Sequence, residues 1–155
     1  MKKQISRFLL GAVLVCSLTA CGSKSDKVNV DISKLAEDLQ GTITSGALAE
    51  VPSDIFASTF FLDMEKVAES TALLNSGASA CEVVIVKCSD SSYAEKVEEL
   101  FETRVENQAA LFASYNAPEA AKLDKAVIES AGEYVVLCVS DDPENAEKIL
   151  EKAGF

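Results

Sequence analysis

Two short runs constrain this chain more than any other feature. Cys81-Glu82-Val83-Val84-Ile85-Val86-Lys87-Cys88 and Tyr134-Val135-Val136-Leu137-Cys138-Val139 are rich in β-branched residues and bounded by turn residues, so both read as strands. Each leads through an acidic residue, Asp90 or Asp142, into the start of a helix. Val83–Val97 and Val135–Ile149 align without gaps at an offset of 52, with six of fifteen positions identical. The identities are Val83/Val135, Val84/Val136, Asp90/Asp142, Ala94/Ala146, Glu95/Glu147 and Lys96/Lys148. Each run also follows a glycine-containing turn and an earlier strand candidate, Ser70–Ser76 or Ala126–Glu129. The pattern is strand-strand-helix, twice. Two origins account for it: an internal duplication, or convergence of any strand-to-helix junction on the same caps and helix formers.

The first of these helices is long. Ser92 and Glu95 offer a capping box, and Tyr93, Val97, Leu100, Phe101, Arg104, Gln108, Leu111, Phe112 and Tyr115 keep helical spacing on one face. That stripe is apolar at its ends and polar at Arg104 and Gln108. Pro118 stops the helix, and a shorter one runs from Glu119 to Asp124. The last helix has Asp142 as cap, Pro143 at its first position, Ile149 and Leu150 as core residues and Gly154 at its end. Upstream, Asp31 and Ser33 offer caps for a helix through Leu35, Ala36 and Leu39 that ends at Gly41. A second short helix follows Pro52, capped by Ser53 or Asp54, and buries Ile55, Phe56 and Phe60, with Phe61 a further candidate. The fold class expected is α+β. Two strand-strand-helix units supply a four-stranded antiparallel sheet with helices packed on one face. The two short N-terminal helices lie at its edge or on the opposite face.

Residues 1–20 read as a targeting signal. Lys2, Lys3 and Arg7 precede an uncharged apolar run, Phe8–Cys16, which is shorter than the about 20 residues a membrane-spanning helix needs. Leu18-Thr19-Ala20-Cys21 follows where that run stops, and it resembles the lipobox of bacterial lipoproteins. The resemblance implies cleavage before Cys21 and a diacylglyceryl group on its sulfur, two acyl chains where one would hold only weakly. Residues 21–27, small and polar after the cysteine, form a flexible tether. Residues 28–155 form a single α+β domain.

Removing residues 1–20 takes away three basic residues and no acid, so 14 Lys+Arg become 11 against 25 Asp+Glu, a net charge of −14. Such a surface repels nucleic acid and anionic headgroups, which leaves the lipid to hold the chain at a membrane. The chain has no histidine, which excludes Ser-His-Asp and Cys-His catalysis. It has no tryptophan and no glycine-rich phosphate loop. Neither a metal site nor a cofactor is expected. Cys81 and Cys88 bracket one strand and lie about 23 Å apart at about 3.3 Å per residue, far beyond disulfide reach. Cys138 pairs with one of them, or all three stay as buried thiols.

From Phe61 onward the chain resembles the bacterial lipoproteins that carry domain of unknown function 4358. The resemblance rests on Leu62-Asp63, Arg104-Val105-Glu106-Asn107-Gln108, Tyr115 with Pro118, and above all the stretch from Gly132 to Asp142. It implies a lipid-anchored envelope protein at the extracytoplasmic face of the cell membrane, and brings no activity. Two functions compete. In the first, the domain is a non-enzymatic binding or interaction module. Arg104, Gln108 and Tyr115 then grip an envelope protein or a small anionic ligand, because a guanidinium and an amide one turn apart suit carboxylates and carbonyls. Otherwise Arg104 pairs with an acid of its own domain, such as Glu133 or Asp63, and holds helix to sheet. In the second, two carboxylates in a cleft hydrolyse a cell-wall glycan.

Overall fold

The computed structural model describes residues 28–155, so the signal, Cys21 and the tether lie outside the described residues. In order, the elements are α1 (Ile32–Gln40), β1 (Leu48–Glu50), α2 (Ser53–Phe60), β2 (Val67–Asn75), β3 (Glu82–Cys88), α3 (Ser91–Ala113), α4 (Ala117–Leu123), β4 (Val127–Ala131), β5 (Tyr134–Val139) and α5 (Pro143–Ala153). The strands form one antiparallel sheet in the order β1-β2-β3-β5-β4. None of these helices is long and apolar enough to cross a membrane.

The sheet has five strands rather than the expected four. The additional one, β1, is three residues on the outer side of β2, with Leu48 opposite Asn75 and Glu50 opposite Leu73. A piece this short carries no alternation that a sequence reading can detect. The helices of the two strand-strand-helix units also lie on opposite faces rather than on one, and of the two N-terminal helices only α1 lies opposite α3. Val84, Val86, Val135, Leu137 and Val139 pack against Phe56 and Phe60 of α2, Val97 and Phe101 of α3 and Leu123 of α4. On the other face, Val83, Ile85, Val136 and Cys138 meet Leu35 and Leu39 of α1 and Ala146 and Leu150 of α5. β3 and β5 lie at the centre with both faces buried. That burial is why their sequences are continuous apolar runs instead of alternating ones.

The two strand-strand-helix units exist, and Asp90 and Asp142 play equivalent parts. Each side chain accepts a hydrogen bond from the amide three residues on, Tyr93 at 2.9 Å and Asn145 at 3.2 Å. Asp90 is therefore the cap of α3, not Ser92; a carboxylate there also meets the positive end of the helix. The units differ in hand. α3 lies on one face and α5 on the other, while β2 and β4 lie on the outer sides of β3 and β5. Viewed from its own helix with its second strand upward, each hairpin has its first strand on the opposite side from the other hairpin. No rotation superimposes them, so the likeness belongs to the junctions and not to a repeated unit.

α2 opens behind Pro52 with no side-chain cap, so neither Ser53 nor Asp54 serves as one. Phe56 and Phe60 are buried, but Ile55 and Phe61 face solvent. Phe61 ends the helix with φ 57°, a left-handed conformation that costs a bulky L-residue roughly 1–2 kcal/mol. Gly154 ends α5 in the same region at φ 102° without that cost. α3 ends at Ala113, before Tyr115 and five residues short of Pro118, which sits instead in the first turn of α4. Cys88 faces α3 and Cys138 faces α1 and α5, with the sheet between them, and all three described cysteines are free. Burial pushes the Cys88 thiol up to about 11 and that of Cys138 up to about 12.

The Asp142 cap yields a direct expectation. Asp142→Ala destabilises the fold by about 1 kcal/mol, the usual cost of a lost N-cap. Chemical denaturation of both proteins measures it, and an unchanged midpoint shows that the cap contributes nothing.

Candidate functional site

α3 runs back along the sheet from the end of β3 towards its beginning. Arg104 arrives above the first residue of that strand, Glu82. Its Nε donates to Oε1 and Oε2 of Glu82 at 2.9 and 3.2 Å, and Nη2 donates to Oε2 at 2.6 Å. The Arg104 side chain is 17% exposed and that of Glu82 6%. The guanidinium also lies over the ring of Phe60, 4.3 Å from its centroid. Arg104 thus has an acidic partner inside the domain, as its position in an apolar stripe demands. The partner is Glu82 and not Glu133 or Asp63.

Beyond Arg104 the last turns of α3 extend past the sheet. They roof a cleft of about 250 Å³ whose floor is the end of β2 and the β2–β3 turn. Arg104, Gln108 and Tyr115 all line it, with Asn75, Ser79 and Phe112. The three polar residues singled out in the sequence therefore share one cavity. Leu111, on the same stretch of helix, is exposed, as is Tyr115. The ring of Tyr115 packs against that of Phe112 at 5.2 Å.

Behind the cleft wall lies a polar cluster that the sequence reading did not find. Lys122 of α4 donates to Glu119 Oε1 at 2.8 Å, Asp141 Oδ1 at 2.9 Å and Ser45 Oγ at 2.6 Å. Asp141 in turn accepts from the amides of Thr44 and Ser45 at 2.6 and 2.7 Å. Glu119 accepts from the Ala80 amide at 2.7 Å and the Ser79 hydroxyl at 3.0 Å. One lysine so ties together α4, the α1–β1 loop, the β2–β3 turn and the β5–α5 junction. The only local hints were two consecutive acids, Asp141 and Asp142, of which one can cap α5, and the Glu119/Lys122 spacing. The remaining contacts are too distant in sequence to leave a pattern.

Burial works to raise the carboxyl values of Asp141 and Glu119, but the Lys122 ammonium and the surrounding N–H and O–H donors outweigh it. Both carboxyls are held below their ordinary values, Asp141 strongly so. Burial also opposes the charge on Lys122, and the two carboxylates overcome it, holding the ammonium well above its ordinary 10.5. Lys122 lies next to Ser45 and, at 3.7 Å, to Cys81. It stays charged, so it cannot act as a general base towards either.

A family model described as Domain of unknown function (DUF4358) matches residues 46–140. The chain belongs to that family. The match spans the cleft, the Arg104–Glu82 pair and Lys122, and it ends one residue before Asp141. No curated protein and no solved structure matches the chain.

Two outcomes follow from the ion pairs. Arg104→Met leaves Glu82 charged and stranded, and lowers stability by about 3 kcal/mol. Adding Glu82→Met restores most of the loss, and denaturation of the single and double variants checks it. The second concerns pH. Because the folded-state value of Asp141 is depressed, its contribution is present above the ordinary 3.8 and fades as pH falls through the folded value. Asp141→Asn therefore costs about 2–3 kcal/mol at pH 7, and the gap closes below about pH 4. Melts of both proteins between pH 7 and pH 2 test this; a gap independent of pH contradicts it.

Proposed function

We propose that this chain is a lipid-anchored envelope protein that works as a non-enzymatic binding module. A diacylglyceryl group on Cys21 holds it at the extracytoplasmic face of the cell membrane, and the cleft under the end of α3 meets its partner. The observation that carries this reading is how hydrogen bonds are shared out around the cleft. The acids and cations beside it are already paired with one another: Arg104 with Glu82, and Lys122 with Glu119 and Asp141. Among the described residues, the Gln108 carboxamide and the Tyr115 hydroxyl make no hydrogen bond within the domain, although both line the cavity. Polar groups left open in a concave site serve recognition.

The competing reading, a carboxylate-dependent wall hydrolase, has less support. A general acid for glycoside cleavage needs a raised carboxyl value, whereas Glu119 and Asp141 are both lowered.

The test is crosslinking in membranes followed by capture of the protein. The wild type carries a specific crosslinked partner, and the double variant Gln108→Ala/Tyr115→Ala loses it while melting at the same temperature. Cys21→Ala moves the protein out of the membrane fraction or leaves it as uncleaved precursor. Unchanged crosslinks in the double variant would remove the cleft from the reading; cleaved Cys21→Ala protein still in the membrane would remove the anchor.

A further inference from the structure

We propose that the cleft takes an uncharged, extended stretch of polypeptide and recognises it by its backbone amides. The proposal rests on the binding reading above and adds the chemistry of the occupant.

Arg104 decides the charge of that occupant. A guanidinium carries five N–H donors, and Glu82 engages only Nε and Nη2. Both hydrogens of Nη1 remain without a partner among the described residues, while the positive charge is already balanced. A carboxylate or phosphate entering here would place a second anion beside a carboxylate that is 6% exposed. It would share one cation with Glu82, in a chain whose residues 21–155 carry a net charge of −14. A neutral carbonyl oxygen accepts from Nη1 without that repulsion. The anionic ligand that the sequence alone allowed is therefore the poorer fit.

Spacing points to a peptide. Gln108 follows Arg104 by four residues, about 6 Å along the helix axis. Its carboxamide offers one acceptor and two hydrogens, the complement of a peptide unit. In an extended chain, carbonyls on the same side recur every second residue, at about 6.6 Å. Arg104 and Gln108 can thus meet two successive amides on one edge of a strand-like segment. Further along, Tyr115, tilted against the buried ring of Phe112, presents aromatic surface to an apolar side chain. At about 250 Å³ the cavity falls below the roughly 300–1,000 Å³ of sites that enclose a drug-sized molecule, which suits a short segment.

The chain has three glutamines, Gln4, Gln40 and Gln108. Labelling the glutamine carboxamides with 15N in the full chain, held in detergent, therefore gives signals from three residues at most, and from Gln40 and Gln108 alone once residues 1–20 are cleaved; Gln108→Ala identifies the pair that matters. The probes are N-acetyl-trialanine amide, acetate, inorganic phosphate and di-N-acetylchitobiose, each added to the same millimolar concentration. The expected result is a saturating shift of the Gln108 signal with the capped peptide, several-fold larger than with any other probe. Acetate or phosphate moving the signal as far overturns the proposal in favour of an anion site. The disaccharide moving it further overturns it in favour of a glycan. No shift with any probe also overturns it. In each of these cases the binding reading stands or falls separately, on the crosslinking experiment with Gln108→Ala/Tyr115→Ala.

Discussion

A strand advances about 3.3 Å per residue and a helix about 1.5 Å, and the cleft end of this molecule is set by that difference. From Glu82 to Cys88 β3 covers about 20 Å, and α3, returning along it, covers the same distance in about thirteen residues. Thirteen residues from Ser91 is Arg104. Up to that point α3 has sheet beneath it and is apolar on its inner face, with Val97 and Phe101 fully buried. At that point the sheet ends, and the helix meets the carboxylate that opens β3. Beyond it, Gln108, Phe112 and Tyr115 project past the edge. The polar gap in an apolar stripe is where the supporting strand stops.

An overhanging helix needs something to hold the loops beneath it. That role falls to Lys122, whose ammonium gathers the carboxylate of Glu119 on its own helix with a carboxylate and a hydroxyl from two separate connections. The arrangement is costly to bury and strongly coupled once made. Its carboxylates also cap backbone amides in the α1–β1 loop and the β2–β3 turn. The cleft floor is thereby fixed in place by contacts within the fold itself.

What the sequence made legible was local. β3, β5 and the Asp142-capped α5 rest on patterns within a dozen residues, and they are present. Ile55 and Phe61 were misread because apolar character alone does not fix which side of an eight-residue helix is covered. Helices on both faces of the sheet were foreshadowed in Val83-Val84-Ile85-Val86, where four consecutive apolar residues leave no side for water. Arg104, Gln108 and Tyr115 could be picked out because they keep helical spacing in the sequence, although α3 ends at Ala113 and Tyr115 follows in the turn. The partner of Arg104 could not, because Glu82 sits inside an apolar strand and reads as part of it. The Lys122 cluster left the least trace, since Ser45 and Asp141 are 96 residues apart.

The absence of tryptophan gives the tyrosines an optical meaning. The chain has three of them. Tyr93 and Tyr134 are nearly fully buried, while Tyr115 is 61% exposed and lines the cleft. Near-ultraviolet dichroism of the native protein thus arises chiefly from the two held rings and follows the packing of the core. A polar quencher in solution reaches Tyr115 first. With no indole to mask it, the accessible part of the emission belongs to the cleft, and the molecule carries its own optical label there.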